Sequence, residues 1–441
     1  MKVYFIPNSG FRIFDINRAY GLAYLISIVY KKARMKFKEN YYLIEANGET
    51  FEFKSDDLLR LINKEELSNA LITSKKDIIE KKKRKIEERL TNRERIQEIL
   101  KHYENFTVFN FKNNETLTAS LEPTAIKGIR ESQKRVILSP FKVSFDDWML
   151  AVIGAMNAGI WKWRGKDLLD YFIFCPDGEI GVSIKNYKGT KEKVKGEFLN
   201  KTSELCEGVH LASKFYQKIM QEDLDNKFSH LLCFSLQSVA QQRKTNFYSM
   251  LPLSTFEKCK DKNNLNLIIW IDEFFTYLQK KKLENLSLDL THFILDLTFE
   301  SYSKFIRTLM RESINDKELL STVGDYEDFS EVIEDLIEIQ EGIMSEKLYN
   351  LYKNNVIKEF GDALRNAIKG EDYSSLTEID YAETPEDLAE AIKKLLRRHI
   401  EEYVPSEESI TEIWGLVEKY GVKAVKTAII SHALSFKGRK K

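Results

Sequence analysis

Apolar and polar residues change rhythm several times along this chain. The opening KVYFI alternates as a strand does, a PNSG turn follows, and from Asp15 the residues Ile16, Ala19, Tyr20 and Ala23 recur at helical spacing. Asp15 is a good N-cap type, so the pattern predicts a helix over 15–32. Arg18 stands in its first turn, where a cation opposes the positive end of the helix dipole. Two accounts fit: Arg18 pairs with Asp15 three residues back, or it clamps an anion held by free backbone N–H groups, with Gly10, Arg12 and Asn17 alongside.

Near-alternation in FTVFNFK and ETLTASLE, joined by Asn113 and Asn114, predicts a hairpin over 106–122. YFIFC, a Pro176-Asp177-Gly178-Glu179 turn and IGVSIK predict a second one. LLCFSLQ (231–237) and LNLIIWI (265–271) read as further strands, and helices are predicted over 144–163 and 196–221. Residues 74–103 are densely charged, with Ile79, Ile86, Leu90, Ile96 and Leu100 as a narrow stripe, which predicts an arm or a solvent-facing helix. From 312 the strand signals stop. Helices are marked by Gly370 as a stop, Thr384 and Pro385 as a start, and Ser406 and Gly421 as both ends of a third. The fold class is therefore α+β: a mixed α/β domain with β-hairpins over 1–311, then an all-α bundle over 312–441.

Charge sharpens that division. Residues 1–311 carry 51 Lys+Arg against 40 Asp+Glu, and residues 312–441 carry 17 against 28, so a net charge of zero hides a basic part and an acidic part. The basic part suits a polyanion, and the acidic stretch DYEDFSEVIEDLIEIQEG suits either solvent or a protein neighbour. At 441 residues more than one domain is expected. The absence of a long apolar run and of a basic leader points to a soluble, cytoplasmic protein. Cys175, Cys206, Cys233 and Cys259 are spaced too widely for a CxxC metal site and are expected as buried thiols. Abundant Lys, Glu and Ile with seven prolines fit a heat-adapted source.

The catalytic signatures are mostly missing. There is no P-loop ending in Gly-Lys-Ser or Gly-Lys-Thr, no GxGxxG, no HExxH, no GxSxG and no His-Asp dipeptide, and the six histidines are dispersed. One stretch resembles a metal-dependent nuclease, in which an Asp on one strand and Glu-x-Lys on the next hold Mg²⁺ and steady the phosphate. Asp177 and Lys185 are in place, but Ser183 occupies the carboxylate position, leaving Glu179 as a substitute. An ordinary Pro-Asp-Gly turn explains the same residues.

Binding chemistry is better represented. Lys185, Lys188, Lys191, Lys193 and Lys195, with Tyr187 and two glycines, predict a mobile basic loop suited to phosphates, or else a merely solvated one. After strand 231–237 come Gln241, Gln242, Arg243, Lys244, Asn246 and Tyr248, amides and cations that suit base edges and backbone, with a ring to stack or wedge. Trp161, Trp163, Arg164 and Lys166 alternate rings with cations, though tryptophans closing an apolar helix fit a core equally well.

The opening FDINRAYGLAYLI, with Arg18, Tyr20 and Gly21, resembles the large subunit of archaeal type I-A CRISPR surveillance complexes, often called Cascade, as does the passage from mixed α/β to helical bundle. The resemblance implies a non-catalytic subunit without cofactor at the 5′ end of the guide RNA. Such a subunit helps recognise the short motif flanking the target double-stranded DNA, assists strand separation, and gives helicase and nuclease subunits a landing site. Guide pairing would read most of the sequence and the protein only a short duplex element. Arg18 and Tyr20 would lie near guide RNA or partner subunits.

Overall fold

A computed structural model describes residues 1–48, 54–73, 75–105, 115–123, 130–131, 134–135, 141–196, 203–239, 242–296, 298–316, 319, 329–339, 343–399 and 404–434. The fold is α+β. The chain forms two compact units, Met1–Phe198 with Lys218–Glu257, and Leu199–Gln217 with Lys258–Lys441. The boundary expected at 311/312 lies inside the second unit, whose helices before and after that point pack on one another.

The first unit contains β1 (Lys2–Pro7), α1 (Arg12–Val29), β2 (Ala33–Lys38), β3 (Tyr41–Ala46), α2 (Ser55–Leu59), α3 (Lys64–Leu71), α4 (Lys76–Thr91), α5 (Arg93–Glu104), β4 (Glu115–Thr116), β5 (Arg130–Glu131), β6 (Lys134–Arg135), β7 (Lys142–Val143), α6 (Phe145–Asn157), β8 (Ile160–Arg164), β9 (Leu168–Pro176), β10 (Val182–Ser183) and α7 (Ile184–Val194). It closes with β11 (Phe228–Val239) and β12 (Gln242–Pro252). One sheet has the order β1-β3-β2-β10 and another β12-β11-β9-β8, with two-stranded ribbons β4-β7 and β5-β6.

At the centre of this unit α1 crosses α6. Every residue of α1 from Ile13 to Ile26 is buried, the condition of a helix that is apolar nearly all round. Two glycines make the crossing close: a Cβ on Gly154 would lie 1.7 Å from the Asn17 carbonyl oxygen, and one on Gly21 would lie 1.8 Å from the Leu150 carbonyl oxygen. The two backbones therefore touch directly. The start of α1 has no side-chain cap of its own. Glu122, itself 1% exposed, accepts from the Ile13 N–H at 3.1 Å and the Phe14 N–H at 3.4 Å, so an anion from another segment satisfies the helix start.

Several elements differ from the sequence reading. YFIFC and IGVSIK are not a hairpin: β9 pairs with β8 and β11, whereas β10 pairs with β2 in the other sheet. The Asp177 carboxylate accepts from the Gly181 N–H and turns the chain between the two sheets instead of back on itself. The 185–195 loop is α7, because Ile184, Tyr187, Thr190, Lys191 and Val194 give it a buried helical stripe. The 74–103 arm is two helices broken at Asn92 and packed down through Ile79, Ile86, Leu90, Ile96 and Leu100, all buried. Helix 144–163 stops at Asn157, and Trp161 and Trp163 belong to β8. In the 106–122 hairpin, 106–114 lie outside the described residues, and Glu115–Thr116 pairs with Lys142–Val143.

The second unit is helical: α8 (Glu204–Gln221) and α9 (Ser254–Asp261), both across the division, then α10 (Leu265–Lys281), α11 (Glu284–Asp296), α12 (Phe299–Asn315), α13 (Phe329–Ile339), α14 (Ile343–Tyr352), α15 (Asn355–Lys369), α16 (Tyr373–Tyr381), α17 (Pro385–Arg398), α18 (Glu407–Tyr420) and α19 (Val422–Ala433). LNLIIWI opens α10 and is not a strand, since the apolar stripe continues at helical spacing through Phe274, Phe275 and Leu278. The expected starts and stops are present: Thr384 forms a capping box with Asp387 ahead of Pro385, Ser406 caps α18, and Gly421 ends it with φ +84°. All four cysteines are buried free thiols. Among the described residues no helix is long and apolar enough to cross a membrane.

Candidate nucleic-acid interface

The polar residues of α1 build structure. Arg18 is fully buried and donates to Asp147 Oδ1 at 3.0 Å, Asp15 Oδ1 at 3.1 Å and the Pro7 carbonyl at 2.7 Å, and its guanidinium lies 5.3 Å from the Phe14 ring. Ser9 donates twice more to Asp15, and Tyr103 and Ser144 donate to Asp147. Burial still raises the Asp15 carboxyl above its ordinary value, against the pull of Arg18 and Ser9. Arg18 thus binds β1, α1 and α6 together and has no surface to offer a polyanion, so its dipole penalty is met by Asp15 and Asp147. Tyr20 is likewise buried, donating to the Phe174 carbonyl at 2.7 Å with its ring 4.9 Å from Tyr187.

The five lysines of 185–195 divide into two roles. Lys191 is 2% exposed and donates to the Met156 and Asn157 carbonyls at 3.0 and 2.9 Å, where burial lowers its amine to about 8. With Tyr24 donating to Asn157 O and Tyr187 to Ala158 O, it satisfies the last carbonyls of α6. Lys193 pairs with Glu222 and Lys195 with Glu66. Lys185 and Lys188 remain on the exposed face of α7, and neither has an ion pair among the described residues.

Lys188 opens onto a cleft of about 690 Å³. Its walls are Ile28 and Lys31 at the end of α1, Lys54, Asp57, Arg60 and Leu61 around α2, Arg93 at the start of α5, and Lys188. Five exposed cations face one acid, and Asp57 is held by Arg60 at 3.3 Å. The floor is set by Leu61, whose carbonyl accepts from Asn157 Nδ2 at 2.8 Å, so the same helix end that Lys191 caps also fixes the cleft. Lys31 has φ +66°, a left-handed conformation that glycine adopts at little cost and lysine does not. Periodicity did not reveal this site, because its cations come from four segments far apart in the chain.

The other predicted residues sit elsewhere. Arg12 begins α1, whereas Lys31 follows its end, and 18 helical residues at 1.5 Å each separate them by roughly 27 Å. Arg12 Nη1 lies 3.3 Å from Met250 Sδ on β12, the edge strand. Asn246, Tyr248 and Met250 alternate as exposed residues on that strand. Gln242, Arg243 and Lys244 lie on the same strand by register, opposite Val239, Ser238 and Gln237. Gln241 lies outside the described residues. The sequence reading therefore divides into two surfaces, an Arg12 and β12 face and the Lys188 cleft.

No family model matches the chain. It is similar to an uncharacterized protein of Archaeoglobus fulgidus, 25% identical over 354 residues, covering 74% of this chain and 96% of that protein. A second uncharacterized protein of the same organism is 43% identical over 105 residues, covering 21% of this chain and 86% of that protein. The chain belongs to the same family as that second protein. The longer match exceeds the length of either compact unit, so it takes in parts of both.

Among the described residues no group of three or more His, Cys, Asp or Glu is placed to hold a metal ion. Asp177 is occupied with the Gly181 N–H, Glu179 is exposed at the turn, and Lys185 stands on the outer face of α7.

Proposed function

We propose that this chain is a non-catalytic nucleic-acid-binding subunit, cytoplasmic, that grips a phosphodiester backbone in the cleft between α1, α2, α5 and α7. One observation carries the reading: Lys31, Lys54, Arg60, Arg93 and Lys188 converge on one concavity with Asp57 as its lone acid. Such a lining recognises charge along a backbone and leaves the sequence to another reader, as guide pairing would. The resemblance of the opening stretch supports the finer form of the reading. In that form the chain is the large subunit of a type I-A surveillance complex, with guide RNA, target double-stranded DNA and the helicase and nuclease subunits as partners. The Arg12 and β12 face, with Gln242, Arg243, Lys244 and Asn246, would then meet the duplex.

Salt dependence tests the cleft. An occupied lining of four net positive charges gives a slope of log K against log salt of roughly −3 on single-stranded RNA. Lys31→Gln and Lys188→Gln should each reduce the magnitude of that slope by about 0.7. Binding with a full slope in the double variant would refute the cleft. Purification of the chain from its source without small RNA would refute the surveillance-complex form.

A further inference from the structure

The helical unit carries a second concavity, of different chemistry. α17 presents Ala389, Ile392 and Leu396 to a groove of about 290 Å³, Val404 follows, and α18 closes it with Ile410 and Trp414. Ile392 belongs to the buried stripe of α17 with Leu388, Ala391 and Leu395, whereas Ala389 and Leu396 lie beside that stripe and are half-buried. The helix is thus apolar over a wider arc than its own packing uses, and Val404 is 40% exposed.

The rim is basic. Of four cations near the end of α17, Lys394 pairs with Glu378 at 3.7 Å, and Arg398 is held by Glu378 at 3.0 Å and Asp372 at 3.8 Å. Lys393 and Arg397 line the groove instead. Lys393 has only Glu390 of its own helix, at 3.9 Å, and Arg397 has no ion pair among the described residues.

We infer that this groove docks an amphipathic helix from a protein partner, one that sets apolar residues at i, i+3 or i+4 and i+7 between α17 and α18 and lays a row of Asp or Glu along Lys393 and Arg397. An apolar floor with an aromatic anchor suits a helix face, and the two cations select its sign. Nucleic acid fits less well, because the groove offers hydrocarbon where a phosphate chain needs donors.

The probe is a fluorescein-labelled peptide of repeating Glu-Leu-Leu-Glu-Glu-Ile-Leu heptads, with a lysine-for-glutamate version as control, read by anisotropy against the full chain. The acidic peptide should bind and the basic one should not. Lys393→Glu with Arg397→Glu, both at exposed positions, should weaken the acidic peptide about tenfold and admit the basic one, with an unchanged circular dichroism spectrum. Trp414→Ala should weaken both charge versions of the interaction. Failure of the acidic peptide to bind, binding indifferent to the rim reversal, or its displacement from the groove by a single-stranded oligonucleotide would each overturn the inference.

Discussion

Replacing Gly154 by alanine tests the central helix crossing with the smallest available change. The added Cβ would sit 1.7 Å from the Asn17 carbonyl oxygen, 2.6 Å from its carbon and 2.9 Å from the Gly21 nitrogen. Real Cβ contacts stay above about 3.0 Å, so α1 and α6 must part at this point, and because the obstacle is backbone no side chain can swing clear. Overpacking of this kind costs about 3 kcal/mol at the upper end of its range. Against it stands the helix preference of alanine over glycine, about 1 kcal/mol. The net expectation is a loss of about 2 kcal/mol, or roughly 4–8 °C in Tm for a unit of this size. Gly189, exposed in α7 with nothing within 4 Å of its would-be Cβ, receives the same substitution without the clash, and Gly189→Ala should gain about 0.5–1 kcal/mol. Thermal unfolding followed by tryptophan fluorescence reads both, with Trp148 on α6 close to the crossing. If Gly154→Ala melts at or above the parent temperature, in the same direction as Gly189→Ala, the backbone contact is not what holds these helices.

Arg18→Lys should destabilise the chain by about 3–5 kcal/mol in urea, because one ammonium cannot serve Asp15, Asp147 and the Pro7 carbonyl together; a variant of parental stability with weakened RNA binding would restore Arg18 to the surface role. Glu122→Ala should cost about 1–2 kcal/mol by uncapping α1, and Glu122→Gln less, since an acceptor remains; equal urea midpoints for all three proteins would remove Glu122 from that role. Lys191 has a folded amine near 8 against 10.5 unfolded, so between those values the unfolded chain binds more protons and stability rises with pH. The cost of the buried charge is fully present below pH 8. Lys191→Met should lack that rise, and a stability difference between the two proteins that stays constant from pH 7.5 to 10 would contradict it.

Elements with strong local signals were legible in the sequence. Thr384-Pro385, Ser406 and Gly421 mark helix ends by chemistry within a few residues of the ends themselves, and the structure uses them so. The opening helix was legible by its period but not by its cap: it starts at Arg12 and ends at Val29, so Asp15, read as the N-cap of a helix over 15–32, lies inside it and accepts from Ser9 and Arg18. What failed depended on distant partners. YFIFC and IGVSIK form no hairpin because β10 finds β2, more than 140 residues earlier, and an Asp-Gly turn carries no information about which sheet its second strand joins. LNLIIWI is too short a run to distinguish strand from buried helix without Phe274, Phe275 and Leu278 beyond it. Lys191 is the instructive case for the site: within a row of lysines, one has its amine on the end of α6, and only the alternation of Tyr187, Thr190 and Val194 around it carries the sign of burial. Arg18 was read with both its accounts open, and Asp147, the partner that settles it, lies 129 residues away.

The reliance of α1 on later segments bears on how the chain is made. As this helix leaves the ribosome, it is an apolar cylinder whose cap, Glu122, whose crossing partner, α6, and whose ring neighbour, Tyr187, have not yet been translated. Synthesis at about 5–20 residues per second leaves it without those neighbours for roughly 5–30 seconds. A nascent chain paused before residue 150 should therefore be bound by chaperones, and one paused beyond residue 257 released from them.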